Sequence, residues 1–515
     1  MEQIAIIDLG TNTFHLLIVE LNDREEFTVK EKFKDPVKLG EGGITQGYIA
    51  KEAFERGQIA LDKFRRIIDT RQVSRVFAFA TSAIRGAKNG IEFIQLVEAK
   101  TGIKVQVING NEEAALIFQG VKNAVSLPPG QDCLLVDIGG GSVEFIVARD
   151  GKIRFLRSLD LGAARLLEQL KIQDPINPSE IELARKLIQK VAGPLIEELK
   201  AFSIRLLVGS SGTFETLATL IAYENRDFHS LEHINGYRFD QPQFQQIFQK
   251  LLILNKAGRT ALPGMDINRV DLIVLGSILV DEILQSLNLE QILLSTYALK
   301  EGILYDYIET RRQAHLPGLI PGDRKLRERS VRNLGAKLQF DEPHAVHVAS
   351  LAVSLLDQLE ELTGTGEEER ELMLYASMLH DIGHFLNRSG HHKHGQYFVL
   401  NSGLPGFSND ELLIMSNVVR YHRKSLPTRD HLHFALLHPT HKMLVRQLSG
   451  ILRIADNLDR GHRHLVESIK LEVRSALISI EVKGPSGLEI EIQAALDNRE
   501  LFEQVFERRL QITQA

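Results

Sequence analysis

One short pattern occurs twice in this chain: an apolar strand ends in an aspartate, a glycine-containing turn follows, and a second apolar strand returns. The first copy spans residues 3–20 and contains Asp8, and the second spans residues 133–147 and contains Asp137. Strands that alternate with helical segments are typical of α/β architecture. Two similar units predict two similar lobes that face each other, with the ligand site in the cleft between them. Further strand-like runs are Val76–Ala80, Lys104–Ile108 and Arg205–Val208.

The chain has 515 residues, and single hydrophobic cores stop growing near roughly 250–300 residues, so we expect several domains. The net charge of −6 excludes a global basic field, so a polyanion needs a local patch and nucleic acid is not an expected partner. The single cysteine, Cys133, excludes a disulfide within the chain and fits a reducing compartment. No signal-peptide pattern and no run of about 20 apolar residues is present, so we expect a cytoplasmic protein without a transmembrane segment.

The segment 311–325 carries two Pro-Gly pairs among clustered charges, which predicts a linker. Beyond it, hydrophobic periodicity predicts helices over 344–361, 369–380 and 410–420. Alternation over 469–493 predicts a small β appendage, with a final helix near 498–510. The predicted organisation is a first lobe over 1–122, a second lobe over 123–310, the linker, a helical domain over 326–466 and an α+β appendage over 467–515.

Three glycine-containing turns follow predicted strands, and such turns let backbone N–H groups approach phosphate oxygens without an intervening Cβ. The third turn opens a helix, whose N-terminus adds positive potential. Asp8 and Asp137 end their strands beside a turn, where a carboxylate can hold a hard divalent cation directly or through water. The candidate phosphate-binding residues are Gly10, Thr11, Asn12, Thr13, Gly139, Gly140, Gly141, Ser142, Gly209, Ser210, Ser211, Gly212 and Thr213.

A helix is expected to begin near Asn111, whose side chain can cap it. Glu112 and Glu113 lie in its first turn, where the helix dipole alone favours acidic residues. A carboxylate that faces the cleft could instead act as a general base on a water, and the residues alone leave both interpretations open. Arg85 could bind a phosphate through two parallel hydrogen bonds, or it could be a solvated surface arginine.

Five segments of the first 310 residues carry a family resemblance: Asp8-Leu9-Gly10-Thr11-Asn12-Thr13-Phe14-His15, Ser82-Ala83-Ile84-Arg85, Asn109-Gly110-Asn111-Glu112-Glu113-Ala114, Asp137-Ile138-Gly139-Gly140-Gly141-Ser142-Val143-Glu144 and Gly209-Ser210-Ser211-Gly212-Thr213. Together they resemble the exopolyphosphatase / guanosine pentaphosphate phosphatase family over about residues 1–310. The resemblance implies an actin-like fold with two ribonuclease H-like lobes around a cleft, and magnesium-dependent hydrolysis of a phosphoanhydride.

The resemblance also implies roles for individual residues. Glu113 matches the catalytic base, and Asp137 matches the acidic residue that supports Mg²⁺ and catalysis. Asp8 matches the metal-site aspartate of the first strand, and Arg85 matches a phosphate-contacting arginine. The chain departs from the family at Lys300, where arginine is often found. Lysine keeps the charge but loses the bidentate fork, which puts a phosphate contact there in doubt.

The C-terminal half concentrates histidine: 14 of the 18 histidines lie between His344 and His464. A first histidine, an adjacent His-Asp pair and a late aspartate resemble the HD metal-dependent phosphohydrolase superfamily, which implies an all-α domain with a second divalent metal. The matched core ligands are His344, His380, Asp381 and Asp456, and the further candidates are His392, His394 and His422. The alternative is that this domain only extends a polyphosphate channel, lined by residues 391–394, Arg420, His422, Arg423 and Lys424.

The leading hypothesis is an exopolyphosphatase that removes the terminal phosphate of inorganic polyphosphate by Mg²⁺-assisted attack of water. The first alternative is a guanosine pentaphosphate 5′-phosphatase, and no residue separates the two. A second alternative is an actin-like nucleotide-binding regulator that does not hydrolyse polyphosphate, against which Glu113 argues. A third places the main activity in the HD-like domain, against a nucleotide. The resemblance also implies a homodimer.

Overall fold

The computed structural model describes residues 2–22, 27–315 and 323–515, and the chain divides into two compact units, Met1–Asp323 and Arg324–Ala515. The predicted linker over 311–325 falls at this division. Residues 311–315 end a helix, residues 316–322 lie outside the described part of the chain, and residues 323–325 begin the next helix. Among the described helices, none is long and apolar enough to cross a membrane.

The first unit begins with β1 (Glu2–Leu9), β2 (Phe14–Leu21), β3 (Phe27–Asp35), α1 (Lys51–Thr70), β4 (Arg75–Ala80), α2 (Ser82–Arg85), α3 (Gly90–Thr101), β5 (Val105–Val107) and α4 (Gly110–Lys122). A 3₁₀ helix, Ile44–Gln46, precedes α1. The unit continues with β6 (Asp132–Ile138), β7 (Val143–Arg149), β8 (Lys152–Leu159), α5 (Ala163–Leu170), α6 (Pro178–Leu199), β9 (Ile204–Ser210), α7 (Ser211–Glu224), α8 (Phe228–Glu232), β10 (Arg238–Asp240), α9 (Gln241–Ile253), α10 (Lys256–Thr260), α11 (Ile273–Leu287), β11 (Gln291–Leu294) and α12 (Leu299–His315).

Two sheets in this unit follow one plan. The first has the strand order β3-β2-β1-β4-β5, and the second has the order β10-β11-β9-β6-β7-β8. In the first sheet β1 pairs antiparallel with β2 and parallel with β4. In the second sheet β6 pairs in the same way with β7 and β9. This duplication confirms the predicted actin-like α/β architecture with two lobes.

Strand β1 shows why these strands are almost continuously apolar. Ile4 and Ile6 contribute to the core between the two sheets, while Ala5 and Ile7 contribute to the core on the other face of the first sheet. Because helices or the second sheet cover both faces, side chains of either parity are buried. The same holds for β6, where all seven residues are buried.

Helices α4 and α12 cross in direct backbone contact within the core between the sheets. A Cβ added at Gly302 would stand 1.8 Å from the Leu116 carbonyl oxygen, and one at Gly120 would stand 2.3 Å from the Ala298 carbonyl oxygen. Glycine is therefore required at both positions. The crossing fixes the first turn of α4 relative to the first turn of α12.

Two local predictions in this unit are wrong. Helix α4 is capped by Asn109 and not by Asn111, because the Asn109 side chain accepts from the N–H groups of Asn111 and Glu112 while the Glu112 side chain accepts from the Asn109 N–H. Residues 209–213 do not form a glycine turn, since β9 continues through Ser210 and α7 begins at the next residue. Gly209 is instead needed for packing, because a Cβ there would lie 2.2 Å from the Phe214 ring.

The second unit is helical with a small terminal sheet. Its helices α14, α16 and α18 confirm the three predicted helical segments, and its strand order is β12-β13-β14. The elements are α13 (Asp323–Lys337), α14 (Glu342–Gln358), α15 (Glu360–Thr363), α16 (Glu367–Met378), a 3₁₀ helix (Ile382–Phe385), α17 (His391–Leu400), α18 (Asn409–Tyr421), α19 (Leu432–Ala435), α20 (Pro439–Asn457), β12 (Ser468–Val473), β13 (Leu477–Lys483), α21 (Glu489–Asp497), α22 (Glu500–Phe506) and β14 (Arg509–Gln514).

The predicted appendage is present, but two of its details are wrong. The alternating run 488–492 begins helix α21 instead of forming a strand, because Leu488, Ile492 and Ala495 follow helical spacing and contribute to the core. The predicted final helix near 498–510 ends at Phe506. Strand β14 follows it and pairs parallel with β13, and its Leu510 and Ile512 are buried.

Candidate active site and a second cluster

The twin strands β1 and β6 place Asp8 and Asp137 at equivalent points of the two sheets. Asp8 stands opposite His15 in the pairing of β1 with β2, and Asp137 stands opposite Glu144 in the pairing of β6 with β7. In each lobe the aspartate is followed seven residues later by its cross-strand partner. The duplicated fold thus brings two acidic strand ends to one cleft within the first unit.

A cavity that opens to solvent lies at these strand ends, and the space within it and its mouth is about 550 Å³. Its walls come from both lobes and from the first turns of α4, α7 and α12. Most of the predicted phosphate and metal residues line it, together with Glu113. The lining residues are Asp8, Gly10, Thr11, Asn12, Thr13, His15, Thr81, Glu113, Ile117, Asp137, Gly139, Gly140, Gly141, Ser142, Ser211, Arg269, Ala298 and Leu299.

The first two predicted phosphate turns pack against each other at the cavity. A Cβ at Gly140 would lie 3.1 Å from the Thr11 Cβ, and a Cβ at Gly141 would lie 2.5 Å from the Thr11 Oγ1. The Thr11 hydroxyl is buried and has no hydrogen-bond partner within the described chain. The Thr11 hydroxyl is therefore available to donate a hydrogen bond to a phosphate oxygen beside the two turns.

The third predicted phosphate segment contributes less to the cavity than the first two. Ser211 lines the cavity, and the Ser210 hydroxyl donates to Asp137 Oδ2 at 2.7 Å. Gly209 and Thr213 do not line it, because Gly209 lies beneath Phe214 and Thr213 packs on Gly276. Gly212 leaves room for a guanidinium, since a Cβ there would lie 2.3 Å from Cζ of Arg269.

Glu113 projects from the first turn of α4 and is 7% exposed. The Arg85 Nη1 donates to Glu113 Oε2 at 2.8 Å and to the Ile108 carbonyl oxygen at 3.0 Å. Burial raises the pKa of Glu113 to about 7, and the Arg85 guanidinium opposes this shift. The two predicted residues are thus brought together, with the carboxyl group oriented by the arginine and poised to exchange a proton near neutral pH.

Burial also disfavours the charged form of Asp8 and Asp137, which line the cavity, and of Glu144, which pairs with Asp137 across the strands. Burial raises the pKa of Asp8 to about 7, against the opposing charge of Lys300. Burial raises the pKa of Asp137, and it raises that of Glu144 well above the ordinary value, with Glu113 adding to the effect. Four carboxyl groups in one buried region favour either bound protons or a bound cation.

Sequence reasoning assigned no role to three residues at this site, and it named a fourth, Lys300, only as a doubtful phosphate contact. Glu144 is 1% exposed and accepts from the Ser158 hydroxyl at 2.8 Å. His15 and Arg269 line the cavity, and Lys300 lies 3.2 Å from Glu301 and close enough to Asp8 to affect its charge. For Glu144 and His15 a signal was available, because each stands seven residues after an identified aspartate on the returning strand. Nothing in the local sequence marks Arg269.

The sequence model of the Ppx/GppA phosphatase family matches residues 17–311, which is more than half of the chain. The chain belongs to the Ppx/GppA phosphatase family. A second model, for domain III of Ppx/GppA phosphatases, matches residues 326–504. The predicted family is confirmed, and the protein is a phosphatase of this family.

Solved Ppx/GppA-type structures resemble the chain in fold. An exopolyphosphatase from Cytophaga hutchinsonii is 36% identical with a TM-score of 0.58, and the match covers 60% of this chain and 98% of that one. A Ppx/GppA family member from Aquifex aeolicus is 24% identical with a TM-score of 0.51, and the match again covers 60% and 98%. The second likeness supports the fold alone.

In the unit matched by domain III, the predicted histidines and aspartates form a buried cluster. His344 and His380 lie on α14 and just after α16, and their Nε2 atoms stand 3.7 and 3.3 Å from Asp456 Oδ1 on α20. The Nδ1 atom of His344 is 2.8 Å from Asp459 Oδ2, and that of His380 is 2.6 Å from the Ser377 carbonyl oxygen.

These outer contacts orient both rings. An Nδ1–H that donates outward leaves the Nε2 lone pair directed inward, as in a metal-binding histidine. Within the described chain neither Nε2 atom has a hydrogen-bond partner, although both are buried. His344, His380 and Asp456 bring their candidate ligand atoms within 4.8 Å of one another.

Of the three further histidine candidates, only His422 reaches Asp381, with Nε2 3.7 Å from its Oδ1. His391, which the sequence suggested only as part of a channel lining, also approaches Asp381, with its Nε2 atom 3.0 Å from Asp381 Oδ1. His392 is buried beside Arg420, whose charge adds to the effect of burial in lowering the His392 pKa to about 3. No contact between His394 and Asp381 occurs within the described chain. In a helix, adjacent residues point about 100° apart, so His392 faces away from the aspartate that His391 approaches.

Proposed function

We propose that the chain is a Mg²⁺-dependent exopolyphosphatase that hydrolyses the terminal phosphoanhydride of inorganic polyphosphate. The observation that carries this proposal is one cavity that combines a buried carboxyl group near neutral pKa, Glu113, with two opposed backbone turns. Arg269 adds positive charge at the cavity, and Arg85, which lines a separate pocket, contacts Glu113. Together they provide a base and phosphate donors.

The cavity also favours a substrate made of phosphate alone. Within the described chain, no Phe, Tyr or Trp side chain lines it, so it lacks the large aromatic rings on which a nucleobase commonly stacks. The similarity to an exopolyphosphatase from Cytophaga hutchinsonii supports the same choice. The competing substrate is guanosine pentaphosphate, whose terminal phosphoryl group has the same chemistry.

The residues present fit a hard divalent cation. Asp8, Asp137 and Glu144 supply only oxygen atoms, which Mg²⁺ prefers. Their raised pKa values in the absence of a cation show that their negative charges lack a sufficient counter-charge. When bound, Mg²⁺ would neutralise charge on the terminal phosphoryl group.

The chain's own residues would perform the remaining steps. Backbone N–H groups of the two turns, the Thr11 hydroxyl and the arginines bind the equatorial phosphate oxygens. Glu113 orients a water molecule and takes its proton as the water oxygen attacks phosphorus in line. The P–O bond to the neighbouring phosphate breaks, and the shortened chain leaves with the bond electrons. Each cycle consumes one water and releases one orthophosphate.

The test compares two substrates at equal concentration with Mg²⁺: long-chain polyphosphate and guanosine pentaphosphate. We expect faster orthophosphate release from polyphosphate. Faster release from the nucleotide would replace the proposal with a guanosine pentaphosphatase. Release from neither would refute the assignment of Glu113 and revive the non-hydrolytic regulator.

We further propose a metal ion in the second unit, held by His344, His380, Asp381 and Asp456. The main support is that His344 and His380 both direct a buried Nε2 atom at Asp456. The Nδ1 atoms of the two rings contact Asp459 and the Ser377 carbonyl oxygen. If this unit carried the main activity, His380→Ala would abolish phosphate release from polyphosphate. We expect His380→Ala to keep that activity and Asp137→Asn to lose it.

The resemblance to the family also supports a homodimer in the cytoplasm. Analytical ultracentrifugation tests the first of these expectations. A monomer at micromolar concentration would contradict it.

A further inference from the structure

Helix α5 packs directly on the second phosphate turn, residues 139–142. The N–H of Gly162, just before the helix, donates to the Gly141 carbonyl oxygen at 3.2 Å. The N–H of Ala163, the first helical residue, donates to the Gly139 carbonyl oxygen at 3.0 Å. The first N–H groups of a helix have no acceptor within the helix, so the turn satisfies them and is joined firmly to α5.

In the first lobe, residues 38–46 pack in a similar way on the first phosphate turn, residues 10–13. The Gly40 N–H donates to the Thr11 carbonyl oxygen at 3.1 Å. A Cβ at Gly40 would lie 2.7 Å from Thr11 Cγ2, so the two backbones are in close contact. The segment 38–46 therefore moves with the first turn, just as α5 moves with the second.

Two side chains of α5 reach from the second lobe to this segment of the first lobe. Glu168 Oε2 accepts from the Gly42 N–H at 2.9 Å, and Glu168 Oε1 accepts from the Thr45 hydroxyl at 3.0 Å. Arg165 Nη1 donates to the Ile44 carbonyl oxygen at 3.3 Å. Arg165 and Glu168 are three residues apart, so both project from one face of the helix.

Arg165 also joins the two lobes beside the cavity. Its Nε donates to the Gly141 carbonyl oxygen at 2.9 Å, and its Nη2 donates to the Ser82 hydroxyl oxygen at 3.4 Å. Ser82 begins α2, and α2 ends at Arg85, which binds Glu113. A guanidinium presents its N–H donors in a fixed planar fork, so this one side chain sets the spacing between the second turn and α2.

We propose that Arg165 and Glu168 are positioning residues that hold the two phosphate turns, one from each lobe, together as a single site. This proposal rests on the proposed function, because it takes both turns to bind phosphate. Neither of these two described side chains lines the cavity, so each acts through the groups that it binds. A phosphate bound by both turns requires them at one spacing, and the apparent affinity falls with the fraction of molecules that have this spacing.

The kinetic test uses the full-length protein with Mg²⁺ and long-chain polyphosphate. We expect Arg165→Ala and Glu168→Ala each to raise KM about 5–30-fold, because fewer free molecules hold both turns in place. Saturating substrate draws the turns together again, so kcat should change little. Arg165→Lys keeps the charge but loses the fork, and it should raise KM nearly as much as Arg165→Ala. Gln169→Ala, at an exposed position of the same helix, is the matched control and should leave both constants unchanged.

Pulsed electron paramagnetic resonance measures the spacing of the lobes without any substrate. Spin labels are placed at Ile59→Cys in α1 and Leu183→Cys in α6, two exposed positions, one in each lobe. The buried Cys133 is replaced by alanine so that only these sites react. We expect one narrow distance distribution in this labelled chain, and a broader or shifted distribution after Arg165→Ala or Glu168→Ala.

These measurements separate the positioning role from the function on which it rests. An unchanged distance distribution in both α5 variants would overturn the proposal, and so would a lower kcat with an unchanged KM, which is the effect of lost folded protein. Thr45→Val removes one contact from the side of the first lobe, so a folding defect in α5 cannot decide the result. If the parent chain releases no orthophosphate, the proposed function fails and the distances alone decide the role of Arg165 and Glu168.

Discussion

Glu113 shows how a single position can combine burial with a useful pKa. Burial raises the pKa of its carboxyl group to about 7, so the group loses its proton as pH rises through neutrality. We expect orthophosphate release to increase with pH along an acid limb at or below about pH 7, since a bound cation would lower this value. Glu113→Gln should reduce kcat by about 10²–10⁴-fold, the usual contribution of a general base, and abolish the limb.

Glu112→Gln is the matched control for this prediction. Glu112 lies in the same helical turn but serves the α4 cap, and glutamine can accept the same hydrogen bond from the Asn109 N–H. A normal rate for Glu112→Gln beside a strongly reduced rate for Glu113→Gln separates catalysis from helix stability. Equal reductions in rate for the two variants would indicate that both substitutions act by destabilising helix α4.

The raised pKa of Asp8 indicates that this residue, which we assign to metal binding, destabilises the folded protein when it is ionised. Its pKa of about 7 in the folded chain exceeds the unfolded value near 4, so the folded state retains a proton that the unfolded state loses. Stability of the cation-free protein should therefore fall as pH rises from about 4 to about 7 and remain lower above that. At pH 8, Asp8→Asn should be more stable than the parent by up to about 4 kcal/mol.

Chemical denaturation at pH 5 and pH 8 tests this expectation. Saturating Mg²⁺ should stabilise the parent chain more than Asp8→Asn, and so narrow the difference at pH 8. Asp62→Asn, on the surface of α1, is the control and should change stability little at either pH. A parent chain more stable than Asp8→Asn at pH 8 without divalent ions would contradict the account.

Arg269 is the cavity residue that the sequence did not reveal. Its guanidinium lies over Gly212 and lines the cavity, and burial lowers its pKa without removing the charge at neutral pH. Arg269→Ala should reduce kcat/KM for polyphosphate by about 10²–10³-fold, the usual effect of removing one donor to the transition state. Arg238→Ala, which removes an exposed arginine of β10, should leave kcat/KM unchanged.

The residues that could be read from the sequence are those fixed by a short local pattern. Asp8 and Asp137 lie at strand ends beside a turn signal, and Glu113, whose role the family resemblance implied, begins a helix beside one; all three meet at the cavity. Arg269 and His391 could not be selected in the same way. Their positions depend on tertiary packing over Gly212 and on which face of α17 meets Asp381.

Among elements, the crossing of α4 and α12 matters most because α4 carries Glu113. Gly302→Ala would place a Cβ 1.8 Å from the Leu116 carbonyl oxygen, so the helices must separate. We expect a loss of stability of roughly 1–3 kcal/mol or more, typical of overpacking, and a lower kcat from displacement of Glu113. Thr310→Ala, on the exposed side of α12, should leave the melting temperature and kcat unchanged.

The sequence predicted strands and helices correctly where the spacing of apolar residues matched the face that is buried in the core. β1, β6 and α14 are examples, because long apolar patterns match their buried faces. The run 488–492 alternates like a strand yet begins α21, since its core contacts continue at helical spacing to Ala495. Alternation over five residues cannot distinguish these outcomes until the packing partner is known.

At the scale of the whole molecule, the division at residue 323 separates two kinds of site. The first unit offers oxygen donors and backbone N–H groups, which suit Mg²⁺ and phosphate. The second offers imidazole nitrogens around Asp381 and Asp456, which suit a transition metal. The duplicated strand pattern predicted the first architecture, whereas the second site was implied by the resemblance to the HD superfamily.

The most direct test of the central claim is hydrolysis of long-chain polyphosphate by the full-length protein in H₂¹⁸O with Mg²⁺. We predict rapid release of orthophosphate carrying one ¹⁸O atom from water, and a rate about 10²–10⁴-fold lower for Glu113→Gln. No orthophosphate from the parent protein, or an undiminished rate in Glu113→Gln, would contradict the account.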